Sequence, residues 1–394
     1  MPTTKGWAAL GIGMALPILW LAFGEHVMLA VATFLVLAVG IGVVSVRSAR
    51  PNVGIQRTVT PVQVHDGDRA VVVVGLVAGK PIHSATVIDE VHGLGTARFV
   101  ASRIQANERI EARYEVLCHP RGVYRIGPAT VIVEDPFGLA QSLGTAKSVD
   151  RLVVFPAVED LTGLPAGRGL DPSADITRAS FTQAGGEDFF TLREYQVGDD
   201  LRRVHWPTSA KRDELMIRQL EAHWQSKALV LLDARTSVYE SEAAFEHAVS
   251  GAASALRHLF RSGYRPTAWI GGGSSVGVGS HDGYLRAMEE LAVVTAQESV
   301  DLVRVVSRRK GGDGIGGVFV MMTGTPDEGA MQAFRTLDHD FDRKIVMSVG
   351  SSEASSLIGL ARGGTTTIAA QPGEPWAAAW RSAMERSWST ATAG

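Results

Sequence analysis

The sequence predicts a two-helix membrane hairpin, then a β-sandwich, and then a Rossmann-like α/β domain. Two long apolar runs near the amino terminus predict the hairpin, and short runs rich in Val, Ile and Thr between residues 56 and 155 predict the sandwich. From residue 228 onward, strand-like and helix-like segments alternate, which is typical of a parallel sheet covered by helices. We expect the hairpin at residues 1–50, the sandwich at 51–156, a linker at 157–184 and the last domain at 185–394.

The composition narrows the classes of function. The 394 residues are enough for two or three domains, and a net charge of −3 provides no bulk attraction to nucleic acid. Cys118 is the single cysteine, so the chain forms no intrachain disulfide and fits a reducing compartment.

The two apolar runs, residues 7–23 and 27–46, carry no charge. Each approaches the roughly 20 residues that a helix needs to cross a bilayer, and membrane helices tolerate the proline at position 17. A cleaved signal peptide is an alternative, but a second apolar run follows the first where a cleavage site and a polar chain are expected. A buried hairpin in a soluble protein is the other alternative.

Charged residues around the hairpin predict its orientation. Lys5 precedes the first run, Arg47 and Arg50 follow the second, and Glu25 lies in the turn between them. Because positive charges favour the cytoplasmic side, we expect a two-pass protein of the inner or plasma membrane. Both ends, and therefore both predicted domains, then face the cytoplasm.

The predicted sandwich contains six runs of β type, separated by Gly, Pro and Asp: residues 58–64, 70–77, 85–91, 109–117, 129–133 and 152–155. No catalytic constellation is recognisable in it, so we interpret it as a scaffold or contact surface. The following linker is rich in Gly, Pro, Ser and Asp and has no sustained period.

The last domain begins with a parallel-sheet pattern from residue 228. Strands are predicted at residues 228–232, 267–270, 317–322, 344–349 and 365–369, and helices at 241–262, 284–295, 327–337 and 375–388. The glycine-rich segments 271–279 and 311–317 lack the Lys-Ser/Thr of a phosphate loop and are predicted as loops.

Residues 185–221 form the densest charged segment of the chain. A solvated surface held by ion pairs of about 0–1 kcal/mol each is one interpretation. The mixture of Arg with Asp and Trp, and a turn at Gly198, favours instead a packed network of bidentate pairs.

Three parts of this segment resemble the signature of a bacterial family known as domain of unknown function fifty-eight: Gly185-Gly186-Glu187, Leu192-Arg193-Glu194-Tyr195 and Gly198-Asp199-Asp200-Leu201-Arg202-Arg203-Val204-His205-Trp206. Leu201 stands where the family usually has Pro, and His205 where it has Asp. Residues 119–128 and 135–139 also resemble family motifs, and we assign them to turns. The resemblance implies a von Willebrand A-like α/β domain and a MoxR-type AAA+ ATPase as partner, whereas the family's activity is largely unassigned.

We expect a binding platform at the start of this domain and at the end of its first strand. Its predicted residues are Arg193, Glu194, Tyr195, Asp199, Asp200, Arg202, Arg203, Trp206, Asp233, Arg235 and Ser237. A carboxylate at the carboxyl end of a buried strand, as at Asp233, is where open α/β sheets place their sites.

A metal site at Asp233 is one alternative. Metal-binding von Willebrand A domains read Asp-x-Ser-x-Ser in this loop, and the resemblance then implies that Asp233, Ser237 and Thr323 hold Mg²⁺. Arg235, however, stands in place of the middle Ser, and its guanidinium would repel a cation and pair with Asp233. A metal-free Asp233–Arg235 pair is therefore the favoured alternative, and no other cofactor is predicted.

Three functions remain open from the sequence. The favoured one is a membrane-tethered adaptor that binds protein partners and is not an enzyme. The second is a hydrolase that uses Asp199, Asp200 and His205. The third is a structural membrane protein of envelope maintenance.

Overall fold

The computed structural model describes residues 1–48, 53–61, 63–164, 190–195, 204, 206–212, 214–220, 227–298, 300–309, 317–350 and 355–391. It divides into two compact units. The first comprises Met1–Val158 with Met288–Val294, and the second comprises Glu159–Ala287 with Thr295–Gly394.

Two apolar helices, α1 (Thr4–Phe23) and α2 (His26–Ser48), open the chain as an antiparallel hairpin. Gly24, with φ 72°, adopts the left-handed conformation that ends α1 and allows the sharp turn. Gly13 lets the helices approach closely, because a Cβ there would lie 3.1 Å from a methyl group of Val36. Both helices are long and apolar enough to cross a membrane, over Thr4–Phe23 and His26–Arg47.

Two β-sheets follow the hairpin and enclose one hydrophobic core. The strands are β1 (Val53–Thr60), β2 (Val64–His65), β3 (Arg69–Ala78), β4 (Ile82–Val91), β5 (Gly95–Ile104), β6 (Arg109–Leu117), β7 (Gly122–Ile126), β8 (Ala129–Glu134), β9 (Gln141–Ala146) and β10 (Asp150–Phe155). The first sheet has the order β1-β3-β6. The second has the order β2-β10-β7-β4-β8-β9, with β5 also paired to β4. We call this part, residues 53–155, the β domain.

The β domain differs from the sequence prediction in three ways. The predicted strand at residues 58–64 is divided into β1 and β2 around Pro61, which has no N–H to donate to a ladder. Residues 122–126 belong to a segment that resembles a family motif and that is predicted as a turn. They form strand β7, which lies between β10 and β4. Strands β5, β7 and β9 are absent from the prediction because polar residues and glycines interrupt their apolar alternation.

The second unit contains a six-stranded sheet in the order β15-β14-β13-β16-β17-β18. Its strands are β13 (Lys227–Leu232), β14 (Arg265–Ile270), β15 (Ser274–Gly277), β16 (Val318–Thr323), β17 (Arg343–Val349) and β18 (Thr366–Ala370). Its helices are α4 (Glu242–Arg261), the first half of α5 (His281–Val293), α6 (Leu302–Arg309), α7 (Glu328–Leu337), α8 (Ser355–Arg362) and α9 (Trp376–Ala391). A separate antiparallel pair, β11 (Phe190–Glu194) and β12 (Met216–Leu220), precedes the sheet, with α3 (Trp206–Arg212) between them.

Helices cover both faces of this sheet. Leu229, Leu231 and Phe319 of the central strands form one core with side chains of α6, α7 and α8. On the other face α4 contacts β13, β14, β16 and β17. A Cβ at Gly251 of α4 would overlap Met322 and the Trp376 ring, so glycine permits the close approach there.

One strand of the predicted parallel sheet is antiparallel. Residues 271–279 are predicted as a loop, but Ser274–Gly277 form β15, which pairs antiparallel with β14. The physical reason is the short turn between the two strands, since a parallel neighbour needs a long crossover connection. Gly271 and Gly273 supply the positive φ angles of that turn, 57° and 150°.

The start of the predicted linker packs within the second unit. The carboxylate of Glu159 accepts hydrogen bonds from the backbone N–H groups of Trp376 (3.0 Å) and Ala377 (2.9 Å), and so caps α9. Trp380 Nε1 donates to the carbonyl oxygen of Thr162 at 3.0 Å. Residues 165–184 of the linker lie outside the described residues.

Glu159→Ala should loosen α9. Loss of a cap costs about 1–2 kcal/mol, and here the negative charge at the helix amino terminus is lost as well. Hydrogen exchange measured by mass spectrometry should show faster exchange at the first turn of α9. Asp160→Ala is the matched control, because Asp160 is 76% exposed and pairs only at the surface with Arg257 and Arg261. Equal exchange in both variants would contradict the assigned cap.

Candidate functional site

The candidate site lies at the point where the order of strands in the sheet reverses, between β13 and β16. Strands β13 and β16 are parallel neighbours, but the chain leaves β13 toward β14 on one side and β16 toward β17 on the other. Asp233 follows the end of β13, and Thr323 ends β16. Open α/β sheets bind their ligands in the crevice at such a switch point.

Asp233 is completely buried and is held by charged and neutral donors. Arg235 Nε donates to Oδ1 at 2.9 Å, and Arg235 Nη2 donates to Oδ2 at 2.8 Å. The hydroxyl of Thr323 donates to Oδ2 at 3.0 Å. The pairing with Arg235 is bidentate, the strong geometry for a guanidinium and a carboxylate.

Arg235 also binds a second carboxylate, that of Asp327. Nη1 donates to Oδ2 and Nη2 to Oδ1, each at 2.8 Å. Asp327 Oδ1 also accepts the backbone N–H of Ala330 at 2.7 Å and caps α7. Hydrogen bonds to Asp233 raise the pKa of Arg235 against the effect of its burial, and the hydrogen bonds from Arg235 lower the pKa of Asp327. One guanidinium thus neutralises part of the charge of two carboxylates. We call Asp233, Arg235, Thr323 and Asp327 the Arg235 cluster.

Neighbouring loops fix the backbone of this cluster. The hydroxyl of Tyr239 donates to the carbonyl oxygen of Asp233, and burial raises the pKa of this tyrosine. Gln297 exchanges backbone hydrogen bonds with Ala234 (2.7 Å) and Thr236 (3.0 Å). Gly324 leaves no room for a Cβ, which would overlap the carbonyl oxygen of Val238. These contacts hold the loop in one conformation.

The cluster does not fit a Mg²⁺ ion. Magnesium takes oxygen ligands in octahedral geometry, but both oxygens of Asp233 accept hydrogen bonds from a cationic guanidinium. Among the described residues, no group of three or more His, Cys, Asp and Glu side chains has a metal-binding arrangement. The guanidinium therefore supplies the positive charge that a metal would bring.

The other predicted site residues lie in several places. Ser237 is exposed on a 3-10 turn, Thr236–Val238, beside the cluster. Arg193 and Glu194 lie on β11, opposite Ile217 and Met216 of β12.

Two further predicted residues lie close to the β11–β12 pair in sequence. The backbone N–H of Tyr195 donates to the carbonyl oxygen of Leu215, and Trp206 begins α3 with its ring 66% exposed. The remaining predicted residues lie outside the described residues, so the platform stays a prediction for Asp199, Asp200, Arg202 and Arg203. His205 of the alternative hydrolase also lies outside them.

Sequence reasoning missed the roles of Tyr239, Gln297 and Asp327. In the sequence, Asp327 is only a carboxylate that follows Thr323 by four residues. Its pairing with Arg235 depends on the adjacent positions of β13 and β16 in the sheet. Tyr239 lies two residues after Ser237, and no pattern in the sequence distinguishes its hydroxyl as a support for the loop.

The fold and the cluster together define an α/β domain with a charged site, linked in one chain to two apolar helices. Residues 191–275 match the family described as "Protein of unknown function DUF58", and this confirms the resemblance found in the sequence.

A curated relative matches more weakly. It is "Uncharacterized protein YeaD" from Bacillus subtilis (strain 168), 28% identical over 154 residues. The match covers 38% of this chain and spans only 36% of the relative's length.

Solved structures resemble the chain only weakly. The CARDB domain of the PF1109 protein from Pyrococcus furiosus has 15% identity and a TM-score of 0.21, and the match covers 26% of this chain and 93% of that one. Cwp6 from Clostridium difficile has 11% identity and a TM-score of 0.19, and the match covers 86% of this chain and 56% of that one. TM-scores this low do not establish a shared fold. The von Willebrand A-like fold therefore stays an expectation from the family resemblance.

Proposed function

We propose that the chain is a membrane-tethered adaptor. The α1–α2 hairpin anchors it, and both domains face the cytoplasm. Its α/β domain, of von Willebrand A-like type, binds a protein partner at the carboxyl edge of the sheet. The observation that carries the proposal is the Arg235 cluster at the switch point of that sheet.

The chemistry of the cluster favours binding over catalysis. Arg235 uses four of its N–H bonds on Asp233 and Asp327, and Thr323 donates its hydroxyl proton to Asp233. A satisfied network of this kind is a rigid surface, with its groups oriented before a partner arrives.

The charge of the edge indicates the chemistry of the partner. Two carboxylates and one guanidinium leave the cluster with one negative charge, and exposed Glu328 adds another. Because complementary charge guides protein association, a basic patch on the partner fits this edge. Exposed Thr236, Ser237 and Thr325 complete the surface around the cluster.

A MoxR-type AAA+ ATPase is the partner that we propose first. This choice comes from the family resemblance, since the cluster alone does not select an ATPase. Positive residues at the base of the hairpin, Lys5 and Arg47, favour the cytoplasmic orientation. That orientation puts the α/β domain in the compartment that contains ATP.

Affinity capture tests the proposal. We would purify the tagged full-length chain from its own membranes in mild detergent, with ATP and with ADP, and identify bound proteins by mass spectrometry. An AAA+ ATPase should be recovered in at least one nucleotide state. Ser237→Arg and Thr325→Arg should reduce its recovery on the order of tenfold, equivalent to about 1.4 kcal/mol, because each adds positive charge and bulk to the binding edge.

His339→Arg is the matched control, since His339 is exposed on the turn before β17, at the opposite edge of the sheet. It should leave the recovery unchanged. Equal recovery with the edge variants would reject the binding edge. Absence of any ATPase in both nucleotide states would reject the proposed partner.

A further inference from the structure

A turn of the β domain, residues 135–140, lies against the start of the hairpin. The backbone N–H of Thr3 donates to the carbonyl oxygen of Leu139 at 2.9 Å, and the Thr3 hydroxyl donates to that of Gly138 at 2.6 Å. The amino group of Met1 donates to the carbonyl oxygen of Gln141 at 2.7 Å. The first residues of the chain are therefore hydrogen-bonded to this segment before α1 begins. We call residues 135–140 the juxtamembrane turn.

Both helices of the hairpin contact the juxtamembrane turn. A Cβ at Gly6 of α1 would overlap the carbonyl oxygen of Leu139, and a Cβ at Gly42 of α2 would lie 3.3 Å from the carboxyl group of Asp135. Gly42 precedes Arg47 by five residues, or about 7 Å along a helix axis. The turn therefore lies beside the apolar part of α2, close to the level at which the hairpin ends and its first basic residues begin.

The turn has a fixed shape. Asp135 is buried, and its carboxylate accepts the backbone N–H groups of Phe137 (3.1 Å) and Ala140 (2.6 Å). Gly138 has φ 67°, a conformation that favours glycine. The side-chain carboxylate thus closes the turn internally, as Asp commonly does in turns.

This rigid turn presents an exposed aromatic ring. Phe137 is 77% exposed, although its backbone is hydrogen-bonded to Asp135. Trp7, one residue beyond Gly6 on α1, is 64% exposed. Aromatic and basic side chains concentrate at membrane–water interfaces, and Lys5 supplies the basic group here. Burial of a phenylalanine ring is favourable, and a ring that is 77% exposed gains little of this stabilisation from the β domain.

We propose that the juxtamembrane turn is a second membrane contact, in which the ring of Phe137 inserts into the lipid interface beside α1. The contact holds the β domain against the membrane surface and restricts its orientation. The inference rests on the proposed membrane hairpin, and its occupant is the lipid of the bilayer that the hairpin crosses.

The single cysteine makes a site-specific test practical. Cys118 is buried, and burial raises the pKa of its thiol, so a maleimide reacts first with an exposed engineered cysteine. We would attach a polarity-sensitive fluorophore to Phe137→Cys and reconstitute the full chain in nanodiscs of phosphatidylcholine and phosphatidylglycerol. A parallel preparation contains phosphatidylcholine brominated on its acyl chains, which quenches nearby fluorophores. The wild-type chain is the control for labelling of Cys118.

Two further positions serve as references. Leu21→Cys reports on the hairpin, because Leu21 is exposed on α1. Thr96→Cys reports on the far end of the β domain. Thr96 pairs with Glu90 on β4, six residues along that strand from Ser84, the partner of Glu134. At about 3.3 Å per residue it lies roughly 20 Å from the level of the turn.

The expected result is blue-shifted, quenched emission at positions 137 and 21 and unquenched, water-like emission at position 96. If position 137 behaves like position 96 while position 21 is quenched, the second contact is rejected and the hairpin stands. If position 21 is also unquenched, the membrane hairpin itself is rejected, and the second contact with it.

Discussion

Arg57→Met should destabilise the β domain by about 3–5 kcal/mol, because it leaves a buried carboxylate without its cation. The side chains of Arg57 and Asp89 are both 0% exposed. Arg57 Nη2 donates to Asp89 Oδ1 at 2.8 Å, and Nε donates to Oδ2 at 3.0 Å. The hydroxyl of Tyr114 donates to the same carboxylate at 2.8 Å.

The ion pair connects the two sheets of the β domain. Arg57 lies on β1 of the three-stranded sheet, whereas Asp89 lies on β4 of the other sheet. Arg57 Nη1 reaches further, to the carbonyl oxygen of Ser148 at 2.9 Å and to Asp150 at 3.1 Å. Burial acts to lower the pKa of Arg57, but its hydrogen bonds to Asp89 and the charge attraction outweigh that effect and raise it. The guanidinium therefore stays charged inside the domain.

This network also explains a glycine of the family-like motif. Gly127 has φ 85°, and a Cβ there would lie 2.5 Å from Arg57 Nη2 and 2.8 Å from the carbonyl oxygen of Ser148. The motif glycine thus leaves space for the guanidinium, in addition to its role in the turn after β7.

Cys118 provides the measurement. The tryptophans of the chain all lie outside residues 53–155, but Cys118 is buried in the core of the β domain. The denaturant dependence of Cys118 labelling, measured on the full chain in detergent, therefore reports unfolding of this domain. Arg69→Met is the matched control, since Arg69 forms an exposed pair with Glu115 worth about 0–1 kcal/mol.

The double variant Arg57→Met/Asp89→Asn should recover much of the loss. It removes both charges, and the amide introduced at position 89 retains an oxygen that accepts the Tyr114 hydroxyl. A loss in Arg57→Met no larger than in Arg69→Met would show that the buried pair does not stabilise the domain.

The two ion-pair networks show how far the sequence predicts this protein. Arg235 and Asp233 are two residues apart, so their pairing follows from the loop sequence and the end of a buried strand. The partners of Arg57 lie 32 and 93 residues away, on strands whose packing no local pattern specifies. Asp327 lies 92 residues from Arg235 and reaches it only because β13 and β16 are adjacent.

The difference between local patterns and long-range packing also explains which parts of the fold the sequence predicts. Continuous apolar runs predict the two hairpin helices. They also predict the central strands, because a strand covered by helices on both faces contains mainly apolar residues. Strands β5 and β9 are missed because each pairs with one neighbour only, and their polar residues interrupt the period on which the prediction relies. The antiparallel β15 depends on the geometry of a short glycine turn rather than on a period.

Arg235→Met should destabilise the α/β domain by about 2–4 kcal/mol, because the buried carboxylate of Asp233 keeps only neutral donors. Those donors are the hydroxyl of Thr323 and the backbone N–H of Arg235. The expected loss is smaller than for Arg57, since Arg235 is 12% exposed and water has access to Asp327, which is 45% exposed.

Tryptophan fluorescence measures this change, since Trp269, Trp376 and Trp380 are buried in the α/β domain. Arg335→Met is the matched control, a change of an exposed arginine on α7 in the same domain. The double variant Asp233→Asn/Arg235→Met should lose less than the sum of the two single variants, because each single variant leaves one partner unpaired. Strictly additive losses would contradict direct coupling.

The effect of Mg²⁺ on stability tests whether the guanidinium of Arg235 takes the place of a metal or only lies near a metal site. A ligand that binds only the folded state stabilises it, by about 2.7 kcal/mol at a hundred times its Kd. If the guanidinium supplies the positive charge between Asp233 and Asp327, millimolar Mg²⁺ should leave the unfolding midpoint of the wild-type chain unchanged. A rise in the wild-type midpoint that Asp233→Asn abolishes would mean that the ion displaces Arg235. The carboxyl edge of the sheet would then bind its partner through a metal, and the metal-free surface proposed here would be wrong.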